Sequence, residues 1–394
     1  MRFITRTVWV LSFVSMFADI ASEMLYPVVP VYLKEIGFSV LMIGLLEGIA
    51  ELTVGISKGY FGKRSDEMGA RLPFIKLGYF LSALSKPLMA VLTFPIWIFL
   101  ARTTDRLGKG IRTAARDALL SQEATVATKA RVFTFHRSWD TVGAIAGPLL
   151  ALVFLQFFPS QYKSLFYIAF IPGIVSVLLI FLLREKKKAA STMGKGNFLS
   201  FLSYRKIASR EYKHLVTGLI LFALANSSDL FLLLKAKEIS GSDSITITAY
   251  ILYNLVYAIS SFPMGIMADK AGMKKVFLFG LFLFVIVYAG FALNNTSWVV
   301  YVLFGLYGIY AAATEGIAKA WITNIAHEKN TATALGYYTS LQSVAAFLAS
   351  TLAGILWYSA GSQTVFLFAA SLAVVAIVYL AGKEPGSNHE QKSS

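Results

Sequence analysis

"GKRSDEMGAR", Gly62 to Arg71, and "GIMADKAGMKK", Gly265 to Lys275, carry one pattern twice: Gly-x-x-x-Asp-x-x-Gly-x-Arg/Lys. Gly62 matches Gly265, Asp66 matches Asp269, Gly69 matches Gly272 and Arg71 matches Lys274, each pair 203 residues apart. The same offset lays Lys34-Glu35-Ile36 on Lys237-Glu238-Ile239, and sets Arg112 opposite Glu315 and Arg116 opposite Lys319. Agreement at separate places marks an internal repeat, so the chain is two copies of one unit.

The unit is a membrane unit. Of 394 residues 57% are hydrophobic and only 14% charged, with a mean hydropathy of +0.65, too apolar for a soluble protein of this length. A crossing needs about 20 mostly apolar residues. Twelve stretches qualify, near 8–33, 40–62, 73–93, 95–118, 132–157, 164–183, 215–236, 246–268, 275–293, 298–322, 333–358 and 364–382. The first runs longer than a signal-peptide core and has no small-residue cleavage site after it, so it reads as a retained span. The expected fold is an all-α membrane protein of twelve transmembrane helices in two six-helix pseudo-symmetric bundles. The bundles are 1–183 and 214–382, joined by a basic connector at 184–213 and followed by a tail at 383–394.

Net charge is +15, which in a soluble chain points to nucleic acid. Here the cations sit in alternate loops, the bias that sets membrane topology. Nine Lys/Arg against two acids fall in 184–213, while the opposite face carries little beyond Lys34, Lys163, Lys235 and Lys237. Both termini are therefore expected in the cytoplasm, with no nucleic-acid partner. The chain has no cysteine, and its four histidines (His136, His214, His327, His389) lack metal-ligand spacing, so no metal site is expected. No Gly-x-x-x-x-Gly-Lys-Ser/Thr loop occurs, which argues against ATP as energy source and against an enzyme.

In the doubled loop, glycines permit close approach and a tight turn, while Asp66 or Asp269 is suited to a helix end near cations. Such a loop can latch one conformation and release in another. With twelve spans and two halves, it resembles motif A of the major facilitator superfamily of secondary transporters, over nearly the whole chain. The resemblance implies alternating access around a midplane site. "RLGKGIRTAA" in span four resembles motif B, an Arg-x-x-Gln-Gly run, with Arg106 and Gly110 matching and Lys109 in place of Gln. In the family that Arg is linked to proton coupling. "GAIAGP" in span five (Gly143, Gly147, Pro148) is similar to the antiporter motif C, although Ala151-Leu152 stands where the family has its downstream glycine pair. Read from residue chemistry alone, two glycines a turn apart and a proline permit close packing and a bend.

The charged spans locate the function. On a helix turning about 100° per residue, Arg102, Arg106, Lys109, Arg112 and Arg116 fall within about a third of the circumference. A charge at the bilayer centre costs about 2.5–3.5 kcal/mol on insertion scales, so the stripe must face protein, water or anions. Arg102 and Arg106, the innermost, need partners, whereas Arg116 and Asp117 are expected at the cytoplasmic surface. Asp19 and Glu23 in span one, and Glu47 and Glu51 in span two, each form an i, i+4 pair. A carboxylate shielded from water keeps its proton when no cation is near and loses it when Arg or Lys comes close. Asp19 and Glu23 are the first candidates for proton or substrate carboxylates, with Glu51 next. Glu47 reads equally well as a packing ion pair.

In the second half Asn226 and Asp229 lie in span seven, Asn254 in span eight, Glu315 and Lys319 in span ten, and Gln342 in span eleven. Glu315 and Lys319 either neutralise each other or form a gate opposite Arg112 and Arg116. Tyr250, Tyr253, Tyr257, Tyr301, Tyr307 and Tyr310 group on helix faces, as packing or as stacking surface for an organic ligand. His136, Arg137 and Asp140 read best as a cluster at the membrane interface.

The expected function is a secondary transporter without cofactor, driven by an ion gradient, with protons as the coupling ion. Export of a small organic solute, a drug or an anionic metabolite such as a siderophore, is the leading reading. Proton-driven uptake of an organic anion is the alternative, and metal-ion export a weaker one. A monomer in the cell (cytoplasmic/inner) membrane is expected, with the solute, protons and lipids as partners.

Overall fold

The computed structural model describes residues 4–382 except 27, 30–31, 34–35, 39, 159–160, 186–199 and 242, and not the side chains at 40–45, 47–48, 51–52, 230, 243–244 and 247. The described residues contain helices and no strand. The long helices are α1 (Arg6–Glu23), α2 (Val40–Glu67), α3 (Leu72–Val91), α4 (Pro95–Gln122), α5 (Lys129–Phe157) and α6 (Tyr162–Ile180) in the first half. The second half has α7 (Arg210–Ala225), α8 (Leu230–Ser240), α9 (Asp243–Ala271), α10 (Met273–Leu293), α11 (Ser297–Ile325), α12 (Thr331–Ala360) and α13 (Ser362–Ala381). Helices are what a bilayer enforces, because nothing in hydrocarbon satisfies a backbone N–H or C=O except the segment itself.

The 203-residue offset carries over into the element bounds. Adding it to α2 gives 243–270 against α9 at Asp243–Ala271, and adding it to α4 gives 298–325 against α11 at Ser297–Ile325. Within the first half α3 packs on α4 and α6, and α1 on α5 and α6; the second half pairs α10 with α11 and α13, and α7 with α12 and α13. Between halves the large contacts are α2 on α12 and α5 on α9.

Among the described residues eight helices are long and apolar enough to cross a membrane: α3, α5, α6 and α9 to α13. The long helices outside that set are α1, α2, α4 and the pair α7 and α8; α1 carries Asp19 and Glu23, α4 the cationic stripe, and the break between α7 and α8 carries Asn226 and Asp229. Two expected spans differ in detail. The first helix ends at Glu23, short of the expected 33, and the seventh span, expected to run unbroken over 215–236, stops at Ala225 and resumes at Leu230. The two interruptions correspond, since Glu23 and Asn226 are 203 apart. Lys34, Glu35, residues 186–199 of the connector, the tail at 383–394, His389, and the side chains of Glu47 and Glu51 lie outside the described residues.

The glycines of span five act in packing. A Cβ on Gly143 would meet the Met16 carbonyl oxygen, and one on Gly147 would meet backbone atoms of Met24 and Ile20. The two glycines therefore seat α5 directly on the backbone of α1, with Pro148 one residue further on. Gly147→Val should destabilise the protein by about 1–3 kcal/mol through overpacking. The thermal unfolding midpoint in detergent should fall, while Leu150→Val, at a side chain 51% exposed, should leave it unchanged.

Candidate functional site

The two copies of the loop pattern sit at the face that bears the connector, and each reaches into the other half. Four N–H groups at a helix start have no intrahelical partner, and the helix dipole adds positive character there. Asp66, near the end of α2, accepts from the backbone N–H of Thr333 at 2.5 Å and of Ala332 at 3.3 Å, and from the Thr333 hydroxyl at 2.6 Å. Asp269, near the end of α9, accepts from the N–H of Ala130 at 3.0 Å and of Arg131 at 3.1 Å, and from Arg131 Nε at 2.7 Å. Thus α2 caps α12 and α9 caps α5, by the same device.

The rest of the pattern supports the two aspartates. Arg71 pairs with Asp66 and donates to the Ser65 hydroxyl at 3.2 Å. Lys274 instead donates to the Gly382 carbonyl at 3.1 Å, and Arg131 supplies the cation beside Asp269. Gly69 and Gly272 have φ of +62° and +101°, which side-chain-bearing residues rarely adopt. Gly62 and Gly265 lie at the crossings, where a Cβ would strike the Ala332 carbonyl and the Thr134 side chain respectively.

A second layer of charge spans the halves behind the latches. Lys319 Nζ reaches Asp117 Oδ2 at 2.7 Å, and Asp117 also takes Arg116 at 2.9 Å. Arg137 Nη2 reaches Glu315 Oε2 at 2.7 Å; its Nε donates to the Tyr257 oxygen at 2.6 Å, and the Tyr257 hydroxyl donates to Glu315 at 2.8 Å. Glu315 and Lys319 thus pair across the interface, with Arg137 and Asp117. Two expectations need correction. Arg116 and Asp117 are not at the surface, being 8% and 1% exposed, because they are sandwiched between the halves. His136 and Asp140 likewise are buried, with His136 Nε2 3.7 Å from Asp140 Oδ1.

These layers adjoin a cavity of about 470 Å³ between the halves. Among its lining residues are Asp19, Glu23, Lys109, Arg112, Asn226, Asp229, Glu315 and Lys319, so α1, α4, α7 and α11 all contribute. Asp229 accepts from the Tyr307 hydroxyl at 2.7 Å. Arg112 donates to the Ser82 hydroxyl at 2.6 Å and lies 4.2 Å over the Tyr79 ring. Tyr250, Tyr253, Tyr257 and Tyr310 also line the cavity, with Asn254 and Gln342, whereas Tyr307 and Tyr301 pack beside them.

Arg102 and Arg106 are not among the lining residues. Arg102 lies 3.7 Å from Asp105, which holds Lys86 at 2.7 Å, and Lys86 donates to the Ser22 hydroxyl at 3.1 Å. Gly78 and Gly108 let α3 and α4 approach closely there, and the charges of α4 above Lys109 are spent inside the first half. Sequence reasoning passed over Lys86, although a lone lysine in an apolar span signals a partner. It also underrated Arg137 and Asp140, which line the cavity, and missed Lys58 and Tyr338.

The profile of the Major Facilitator Superfamily matches residues 11–251 and 230–394. The chain belongs to the major facilitator superfamily. This facilitator is 32% identical over 381 residues to an uncharacterised MFS-type transporter of Methanocaldococcus jannaschii, covering 95% of this chain and 94% of that protein. It is 24% identical over 265 residues to the quinolone resistance protein NorA of Staphylococcus aureus, covering 65% and 66%. The human organic anion transporter MFSD10 superposes with a TM-score of 0.82 at 17% identity, over 95% of this chain and 99% of that one. The Escherichia coli fucose:proton symporter FucP does so with 0.75 at 14%, over 97% and 99%. The structural likenesses establish the shared fold. The facilitator is a multi-pass membrane transporter of small molecules, not an enzyme.

Removing the charge of both latches should loosen the connector face. A hydrogen bond to a charged group is worth about 1.5–3 kcal/mol, and Asp66→Asn with Asp269→Asn removes the charge from both helix starts. Because the chain has no cysteine, spin labels at Lys63→Cys and Lys329→Cys report the α2–α12 separation directly. The double substitution should add a longer-distance population to their dipolar distance distribution.

Proposed function

We propose that this facilitator exports a small organic solute in exchange for protons. The observation that carries the reading concerns Asp19 and Glu23. Both line the cavity from one face of α1, and among the described residues neither is hydrogen-bonded or ion-paired, whereas Asp140, Asp229 and Glu315 are engaged. A free carboxylate pair in a crevice can take either a proton or the cationic or donor group of a solute. Competition between the two is what exchange requires. On the other side Lys109 and Arg112 offer positive charge to an acidic group, and the tyrosines offer ring faces to a carbon body. A volume of about 470 Å³ suits a small organic molecule. The likeness to the quinolone resistance protein and the Gly143/Gly147 packing motif support export.

The connector bears nine of the chain's cations, so we assign its face, with both termini, to the cytoplasm of a cell membrane. The latched form is then closed to the cytoplasm, with the cavity facing outward. Protons loading Asp19 and Glu23 from outside displace solute; release of the two Asp-capped helix starts and of the Arg137–Glu315 and Lys319–Asp117 bridges opens the cytoplasmic side. The bundles at 1–183 and 214–382 are the rocking units.

The cationic wall favours one other reading. A proton on Asp19 removes a negative charge from the cavity wall that Lys109 and Arg112 also line and so favours an organic anion there, so that proton and anion bind together and move in the same direction. Everted membrane vesicles separate the two. An exchanger accumulates solute when the vesicle interior is made acid, and Asp19→Asn should reduce that accumulation to the level of vesicles lacking the protein. Accumulation that instead requires an acid exterior means symport, and an Asp19→Asn variant with unchanged gradient dependence removes Asp19 from coupling.

A further inference from the structure

A second cavity, of about 230 Å³, lies away from the central one, where α7 and α12 meet the connector turn Tyr204–Ile207. Its two ends differ in chemistry. Arg205 and Lys213 form the connector-side end, and Val216, Ile220, Leu221 and Leu341 form the deeper wall. The α7 residues recur at the three- and four-residue spacing of one helix face. Leu341 continues along α12 into Val344 and Leu348, 46% and 51% exposed, so the apolar wall runs out onto the lipid-facing surface.

Among the described residues the charged end has no protein counter-ion. Neither the Arg205 nor the Lys213 side chain is hydrogen-bonded or ion-paired among the described residues. The neighbouring stretch 186–199 carries four lysines and no acid. Glu211, the nearest carboxylate in sequence, lines a different crevice beside His214 and Trp321. Two cations closing the end of an apolar groove at a membrane surface have the chemistry of a lipid headgroup site.

We propose that this groove binds an anionic phospholipid, with the phosphate between Arg205 and Lys213 and an acyl chain along Leu341, Val344 and Leu348. The site is wired to the latch. The Tyr212 hydroxyl, in the groove wall, donates to the Ala334 carbonyl at 2.7 Å, next to the Thr333 that binds Asp66. Tyr212 also packs on Tyr204 of the connector turn and on Tyr337 of α12, with ring centroids 5.2 and 6.4 Å apart. Connector, α7 and the start of α12 are held as one body at the lipid headgroup, which favours the latched form.

The test uses the full-length protein in detergent, titrated with phosphatidylglycerol, phosphatidylcholine or inorganic phosphate, and read by native mass spectrometry and thermal unfolding. Phosphatidylglycerol should be retained and should raise the unfolding midpoint, and the other two should not. Arg205→Gln with Lys213→Gln should weaken retention roughly thirtyfold, the loss of two cation contacts. Lys206→Gln with Arg210→Gln, which removes the same charge from exposed neighbours outside the groove, should retain the lipid as wild type does. Leu341→Trp, which fills the apolar wall and keeps both cations, should also lose retention. Equal loss in both charge pairs means diffuse attraction and overturns the site. Stabilisation by phosphate alone, or equally by phosphatidylcholine, overturns the anionic lipid as its occupant.

Discussion

A helix start presents bare N–H groups that something must satisfy, and in this facilitator the satisfying groups come from the opposite half. Asp66 closes the start of α12 and Asp269 closes the start of α5. Each aspartate is held where it is by a left-handed glycine turn and a close helix crossing. The rest of the connector face follows from this constraint. With the helix starts joined across the interface, Arg137 comes within reach of Glu315 and Lys319 within reach of Asp117. Asp117 is buried, so removing its Lys319 partner costs about 3–5 kcal/mol, whereas the part-exposed Arg137–Glu315 pair adds about 0–1 kcal/mol.

The repeat explains why the device is doubled and also where the halves part company. Glu23 and Asn226 occupy equivalent positions at the ends of α1 and α7, both on the cavity, yet one is ionisable and the other is not. Asp19 is matched by Phe222. The free carboxylates therefore belong to the first half, while the second half supplies tyrosines and the engaged Asp229. Among the described residues such a division gives the cavity one wall with unpaired carboxylates and one aromatic wall.

Much of this was legible in the residue order. Hydropathy gave the membrane class, the 203-residue offset gave the two halves, and the loop pattern located both latching aspartates. The helix breaks at Glu23 and at Asn226 left local signals that hydropathy averaging smooths over: Pro27 and Pro30 follow the first, and the polar run Asn226-Ser227-Ser228-Asp229 forms the second. The charged stripe on α4 was read correctly as facing inward, but periodicity cannot tell a neighbouring helix from a cavity. Arg102 meets Asp105 and Lys86 within the first half, and only Lys109, Arg112 and Arg116 reach the crevice. Arg116 and Asp117 looked superficial from their distance along the span; depth there is set by the halves closing over them.

If the latched halves enclose a wet crevice open only on the face away from the connector, as proposed, that face alone admits a water-soluble reagent to the cavity wall. Single cysteines at Thr141 and Gln342, on the cavity wall, and at Leu150, on the lipid-facing surface, probe it directly in this cysteine-free chain. A membrane-impermeant maleimide should label Thr141→Cys and Gln342→Cys from the face opposite the connector and leave Leu150→Cys unreacted. Labelling of the cavity positions from the connector face alone, or from neither face, would contradict the account.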